Sequence, residues 1–86
     1  MNNYKVISFY KYVSIEDPEK LANEHLQWCI DNGIKGKVYF AKEGINGAVF
    51  GVYDLIEDYK NHLKSYSLFS DIWFKSTAGF SFRVTD

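Results

Sequence analysis

The sequence predicts an α+β domain in which a four-stranded antiparallel sheet carries two helices on one face. Segments rich in β-branched and aromatic residues, which favour strands, alternate with two segments whose apolar residues recur at the helical period. These segments follow the order strand, helix, strand, strand, helix, strand. That order is the split βαβ plan, the ferredoxin-like βαββαβ sandwich. The second face of such a sheet has no helices, so it meets a partner, a ligand or solvent.

The first strand and the first helix have clear sequence boundaries. The run from Tyr4 to Val13, YKVISFYKYV, predicts a strand. Asp17 is a natural helix N-cap, and Pro18 suits the first helical position, where a missing N–H costs nothing. Gly33, directly after Asn32, predicts a left-handed C-terminal stop. The expected apolar stripe of this helix comprises Leu21, Ala22, Leu26, Cys29 and Ile30, with His25 and Trp28 beside it.

The middle of the chain predicts two strands, Lys35 to Ala41 and Ala48 to Val52, joined by a shaped loop. Gly44 and Gly47 can adopt positive φ without steric cost, and Asn46 tolerates it. Asn46-Gly47 is also a common signal for a tight reversal. An alternative interpretation makes this loop a simple hairpin connection with no further role.

The C-terminal half predicts a second helix and two more strand-like segments. The helical period runs from Asp54, the expected cap, to about Tyr66. Its apolar face comprises Leu55, Ile56, Tyr59, Leu63 and Tyr66. The segments Ile72 to Lys75 and Phe80 to Thr85 both have strand character. They form either a hairpin or one interrupted edge strand.

Size, charge and cysteine content restrict the possible classes of function. Eighty-six residues suit one small domain, and the net charge of −1 provides no global field that attracts nucleic acid or an anionic membrane. Any RNA contact must therefore rest on a local patch. A single cysteine fits a reducing compartment, and no apolar run approaches the roughly 20 residues that span a bilayer. A cytoplasmic protein without membrane contact is expected.

No catalytic or metal site is expected. An acylphosphatase needs an anion-binding loop with an arginine before the first helix, but residues 14–19 contain three acids and no arginine. Cys29 falls on the apolar stripe and predicts a buried structural thiol. His25 and His62 are assigned to different helices, as a boundary and a solvated residue, with no second ligand at metal spacing. No cofactor is expected either.

Three tyrosines provide the more informative signal. Tyr10, Tyr12 and Tyr39 are expected on the helix-free face of the sheet, near Lys5, Lys11, Lys37 and Arg83. Aromatic rings on an open sheet can stack unpaired RNA bases. They can equally form packing surface for another domain. The sequence leaves both interpretations open.

Several segments together resemble the N-terminal domain of the bacterial rhodanese-related tRNA uridine hydroxylase family. That family acts on the wobble uridine, nucleotide 34 of the tRNA. They are the first strand, the Glu16-Asp17-Pro18 helix start, residues 32–36, the loop from residue 41 to 47, and residues 71–76. The family signature within the loop is Glu43, Gly44, Ile45, Asn46 and Gly47. Lys42 stands where the family usually has proline, which adds a positive charge.

The resemblance implies an acylphosphatase-like domain at the N-terminus of a longer protein. In that family a C-terminal rhodanese domain holds the essential cysteine, so no catalytic residue is carried over to this chain. Residues 1–86 are then a single accessory domain that positions tRNA or shapes the neighbouring active site. The possible RNA or partner-domain face comprises Tyr10, Tyr12, Lys37, Tyr39, Lys42 and Arg83. The alternative is a structural docking or oligomerisation module without RNA contact.

Overall fold

The computed structural model describes residues 4–76 as a four-stranded antiparallel sheet with two helices. The elements are β1 (Tyr4–Tyr12), α1 (Pro18–Asn32), β2 (Lys35–Ala41), β3 (Gly44–Val52), α2 (Tyr53–Lys64) and β4 (Phe74–Ser76), with a short 3-10 turn at Ser67–Phe69. The strands lie in the order β2-β3-β1-β4. The predicted ferredoxin-like α+β fold is therefore confirmed.

The two ends of α1 are as the sequence predicts. The Asp17 carboxylate accepts a 3.1 Å hydrogen bond from the backbone N–H of Lys20. Gly33 adopts φ 76°, and the backbone N–H of Ile34 donates to the carbonyl of Cys29 at 3.0 Å. These contacts satisfy groups that a helix end otherwise leaves unpaired.

The buried stripe of α1 differs from the prediction. His25, expected at the boundary, is only 3% exposed, and Leu26 and Ile30 are 57% and 62% exposed. The helix is therefore rotated towards His25 and Cys29. The prediction failed because two sets of residues have the spacing of one helical face: 22, 25 and 29, or 22, 26 and 29. The set with Leu26 was predicted because leucine is more apolar than histidine.

The start of α2 also corrects a prediction. Val52 occupies the N-cap position without a side-chain hydrogen bond, and Asp54 lies in the first turn, so Asp54 is not a cap. The helix ends at Lys64, before the predicted Tyr66. Its buried residues, Ile56, Tyr59 and Leu63, belong to the predicted apolar face.

The core lies between the sheet and the two helices. Its buried members are Ile7, Phe9, Ile15, Cys29, Ile34, Ile45, Val49, Ile56, Tyr59, Leu63, Phe69 and Ile72. Odd-numbered residues of β1 and β3 supply the sheet side of this core, so the even-numbered residues of these strands point to the opposite, helix-free face. Within residues 4–76, neither helix is long and apolar enough to cross a membrane.

The last described strand pairs at the sheet edge. β4 begins at Phe74, two residues later than predicted, and pairs antiparallel with β1 through Phe9 and Phe74. The predicted strand at Phe80 to Thr85 lies outside the described residues, as does the choice between a hairpin and an interrupted edge strand.

Candidate functional site

The predicted loop between the middle strands is mostly strand. Only Lys42 and Glu43 form the turn, and Gly44 to Gly47 belong to β3. Asn46-Gly47 is therefore not a reversal: Asn46 pairs with Tyr39 on β2 and with Tyr10 on β1. The turn is fixed to the chain after β1, because the N–H groups of Val13 and Ile15 donate to the carbonyls of Glu43 and Lys42 at 3.0 Å each.

The glycines of this segment permit close approach of neighbouring strands. Gly44 adopts φ 151°, whereas Gly47 and Asn46 do not have positive φ. A Cβ atom on Gly47 would lie 2.6 Å from the carbonyl oxygen of Lys37 and 2.8 Å from the Cα of Val38. Glycine is thus required at position 47 because the backbone of β2 fills the space that a side chain would need. From the sequence alone, this reason for a glycine looks the same as the need for a turn.

Among residues 4–76, four exposed aromatic side chains lie close together on the helix-free face. Tyr10, Tyr12 and Tyr39 are 67%, 84% and 60% exposed, and Trp73 is 73% exposed. All four line one shallow depression with a volume of about 790 Å³. Trp73 was not among the site residues predicted from the sequence. The available signal was the alternation of side chains at the start of a strand: Phe74 is half-buried, so its neighbour Trp73 points to the opposite face.

Two cross-strand rows build this depression. The upper row is Tyr39, Asn46 and Tyr10, in which Asn46 is directly opposite both tyrosines. The lower row is Lys37, Ala48, Ser8 and Lys75, again by direct pairing across the four strands. Small residues thus form the floor of the lower row, with a lysine at each end.

In the four strands that the structure describes, lysine is the only charged residue type. Two of these lysines are neutralised. Lys5 donates to Glu57 of α2 at 2.9 Å, and Lys11 forms a 3.0 Å ion pair with Asp71. The hydrogen bond with Glu57 raises the pKa of Lys5, and the bond from Lys11 lowers the pKa of Asp71. Among residues 4–76, Lys37 and Lys75 form no ion pair.

These positions refine the set of residues expected around the tyrosines. Lys5, expected near the tyrosines, is buried on the helix side, so that expectation was wrong. Lys42 is exposed in the β2–β3 turn and does not line the depression. Arg83 lies outside the described residues. The structure thus brings together Tyr10, Tyr12, Lys37, Tyr39 and Asn46, and adds Trp73 and Lys75.

The titratable groups on the helix side are structural. Cys29 is 8% exposed, and burial raises the pKa of its thiol to about 11, as expected for a buried structural cysteine. His62, expected in solvent, instead stacks on Trp28 with ring centroids 4.2 Å apart. Within the described part of the chain, no group of three His, Cys, Asp or Glu residues could hold a metal ion.

Comparison with known proteins gives related sequences over most of the chain. Three relatives are each named tRNA uridine(34) hydroxylase: from Acholeplasma laidlawii (44% identity over 73 residues), Bacillus licheniformis (45% over 74) and Staphylococcus carnosus (42% over 73). The matches cover 85–86% of this chain but 23% of each relative, so the chain spans about a quarter of their length. The sequence model of the UPF0176 acylphosphatase-like domain matches residues 4–83, and the chain belongs to this domain family.

Proposed function

We propose that this domain is a non-catalytic RNA-binding module of a tRNA uridine(34) hydroxylase, which positions tRNA for the rest of that enzyme. The observation that supports it is the helix-free face, where exposed aromatic rings share one depression with Lys37 and Lys75, which have no ion-pair partner among residues 4–76. The relatives named tRNA uridine(34) hydroxylase extend well beyond this domain, which leaves most of each protein to supply the chemistry.

The face has the two properties that RNA binding requires. Exposed rings can stack on unpaired bases, and each stacked base contributes about 1–3 kcal/mol. Lys37 and Lys75 can neutralise phosphates, since neither has an ion-pair partner among residues 4–76. The four strands within residues 4–76 contain no acidic residue that would repel the RNA backbone.

A non-catalytic role fits the side chains available on this face. Cys29, the only thiol of the chain, lies on the opposite side of the sheet in the core, and its raised pKa of about 11 disfavours the nucleophilic thiolate. The resemblance to the rhodanese-related family implies that a C-terminal rhodanese domain holds the catalytic cysteine. Contact with that domain and a cytoplasmic location, where tRNA is modified, belong to the same proposal.

Fluorescence anisotropy with a labelled tRNA anticodon stem-loop tests the proposal. We expect salt-sensitive binding, and Tyr10→Ala and Tyr39→Ala should each weaken it by about 1–3 kcal/mol. Tyr53→Ala is the matched control, because Tyr53 is half exposed but lies at the start of α2. Absence of binding, or an equal loss in all three variants, would contradict an RNA-binding face.

A docking role is the second candidate function, and the exposure of Trp73 and Tyr12 supports it. Large exposed rings on a sheet are suited to packing against another domain. In that case, the double variant Tyr10→Ser, Tyr12→Ser should impair assembly of the parent protein in size-exclusion chromatography while leaving its RNA affinity unchanged. A parallel loss of RNA affinity would favour the RNA-binding role instead.

A further inference from the structure

We propose that the carboxamide of Asn46 reads the edge of an unpaired RNA base on the helix-free face. This inference rests on the proposed RNA-binding function and assigns base recognition to one residue within it. Asn46 belongs to the segment that the sequence predicts to be a tight turn, but in the structure it lies within strand β3.

Asn46 lies in the middle of the sheet with aromatic neighbours on both sides. It is exposed on β3, and it is directly opposite Tyr39 of β2 and Tyr10 of β1. Directly opposite residues have Cβ atoms about 4.5–5.5 Å apart. A base stacked on either ring would therefore bring its edge within reach of the carboxamide.

The Asn46 side chain is free to bind a ligand while its backbone is fixed. Among residues 4–76, the carboxamide has no hydrogen-bond partner. Its backbone lies in a strand that is paired on both edges. A side chain on such a rigid support loses little further freedom when it binds.

The chemistry of the carboxamide suits a base edge. It presents one acceptor oxygen and an NH₂ donor side by side. Every nucleobase offers a neighbouring donor and acceptor on its Watson–Crick edge, which is accessible only when the base is unpaired. The exocyclic group of A and C is the donor and that of G and U the acceptor, so a carboxamide that binds in one orientation distinguishes these two pairs of bases. The expected ligand is therefore single-stranded RNA, such as a loop, rather than a duplex.

The charges around Asn46 favour a nucleotide over a peptide segment. Lys37 and Lys75 mark the two ends of the adjacent row, and Ser8 and Ala48 leave space between them. This places two cations beside the aromatic row, where they can contact phosphates while a base stacks. Asp71, the acid that lines the depression, is already paired with Lys11.

The test compares binding of single-stranded homopolymeric RNA oligonucleotides by the chain and by Asn46→Val, with anisotropy as the readout. Valine favours strands and forms no side-chain hydrogen bonds, so the variant should keep the fold. We expect the chain to bind its preferred homopolymer at least about fivefold more tightly than the homopolymer that it binds most weakly. Asn46→Val should bind all the homopolymers with similar affinity. The variant should still bind RNA with the same salt dependence, through the rings and lysines.

The control is Asn61→Ala, which removes an exposed asparagine on α2 and should leave the preference unchanged. Absence of any RNA binding by the chain would overturn the proposed function. RNA binding without a base preference, or a preference that Asn46→Val retains, would overturn only the role of Asn46. If Asn46→Val instead weakens docking to the remainder of the parent protein and leaves the RNA preference intact, the ligand is a protein surface and the inference fails.

Discussion

At the residue scale, His25 is a buried titratable group that the fold keeps neutral. Its ring is 3% exposed, and a 2.9 Å hydrogen bond joins His25 Nε2 to the Tyr59 hydroxyl in the core. Burial, with a smaller contribution from His62, lowers the pKa of His25 to about 4. The Nδ1 atom has no partner in the described structure. Protonation of this ring is therefore costly in the folded state.

This burial predicts a loss of stability in mild acid. The unfolded chain binds a proton at His25 below its ordinary pKa of 6.5, and the folded chain binds it only near pH 4. The free energy of unfolding should thus fall between these pH values, by about 3 kcal/mol for this residue. Chemical denaturation of the chain and of His25→Phe at several pH values measures it. An equal pH dependence in both proteins would contradict this account.

Gly47 and Gly51 form a matched pair for testing close strand approach. Gly47→Ala should lower the free energy of unfolding by about 2 kcal/mol or more, because the new Cβ would lie 2.6 Å from a backbone oxygen. At Gly51 the nearest atom to a new Cβ is the Cδ1 of Ile56, at 3.7 Å, so Gly51→Ala should change stability by less than about 1 kcal/mol. Urea denaturation measures both, and equal losses would contradict the requirement at Gly47.

At the element scale, helix caps separate two aspartates that the sequence assigned the same role. Asp17→Ala removes a hydrogen bond to the N–H of Lys20 and should lower stability by about 1 kcal/mol. Asp54 lies in the first turn of α2 without a cap bond, so Asp54→Ala should cost only about 0.3–0.5 kcal/mol through the helix dipole. Thermal or urea unfolding of both variants checks this difference. A larger loss for Asp54→Ala would contradict the assignment of Val52 as the N-cap.

Some boundaries of the helices and strands could be predicted from the sequence, and others could not. Both ends of α1 were predictable because Asp17, Pro18 and Gly33 each have a local reason to occupy a helix end. The β2–β3 connection was not predictable, because an Asn-Gly pair has two common uses. It is typical of tight turns, but glycine also occurs within a strand where the backbone of a neighbouring strand leaves no space for a Cβ. The side of α1 that is buried depends on tertiary contacts, such as the bond between His25 and Tyr59.

At the scale of the whole molecule, the described acidic and basic residues are distributed unevenly over the secondary-structure elements. The acidic residues among residues 4–76 lie in helices, turns and connections, and the strands carry lysines alone. The net charge of −1 therefore conceals a local patch beside exposed rings. Such a patch can bind an anion that the molecule as a whole does not attract.

The element order predicted a sheet with one helix-free face, because both helices of this plan pack on the same side. It also placed Tyr10, Tyr12 and Tyr39 together, since alternation along a strand assigns each side chain to a face. The pairing of Asn46 between two tyrosines depends on strand register, which the sequence did not determine once the turn was misplaced.

The most direct test of the RNA-binding face is an NMR titration of the isotope-labelled chain with the tRNA anticodon stem-loop. We predict that chemical-shift changes concentrate on the helix-free face, at the backbone amides of Ser8, Tyr10, Tyr39, Asn46 and Ala48, and that added salt reduces them. Changes confined to α1 and α2, or no changes at all, would contradict the central claim that this face binds RNA.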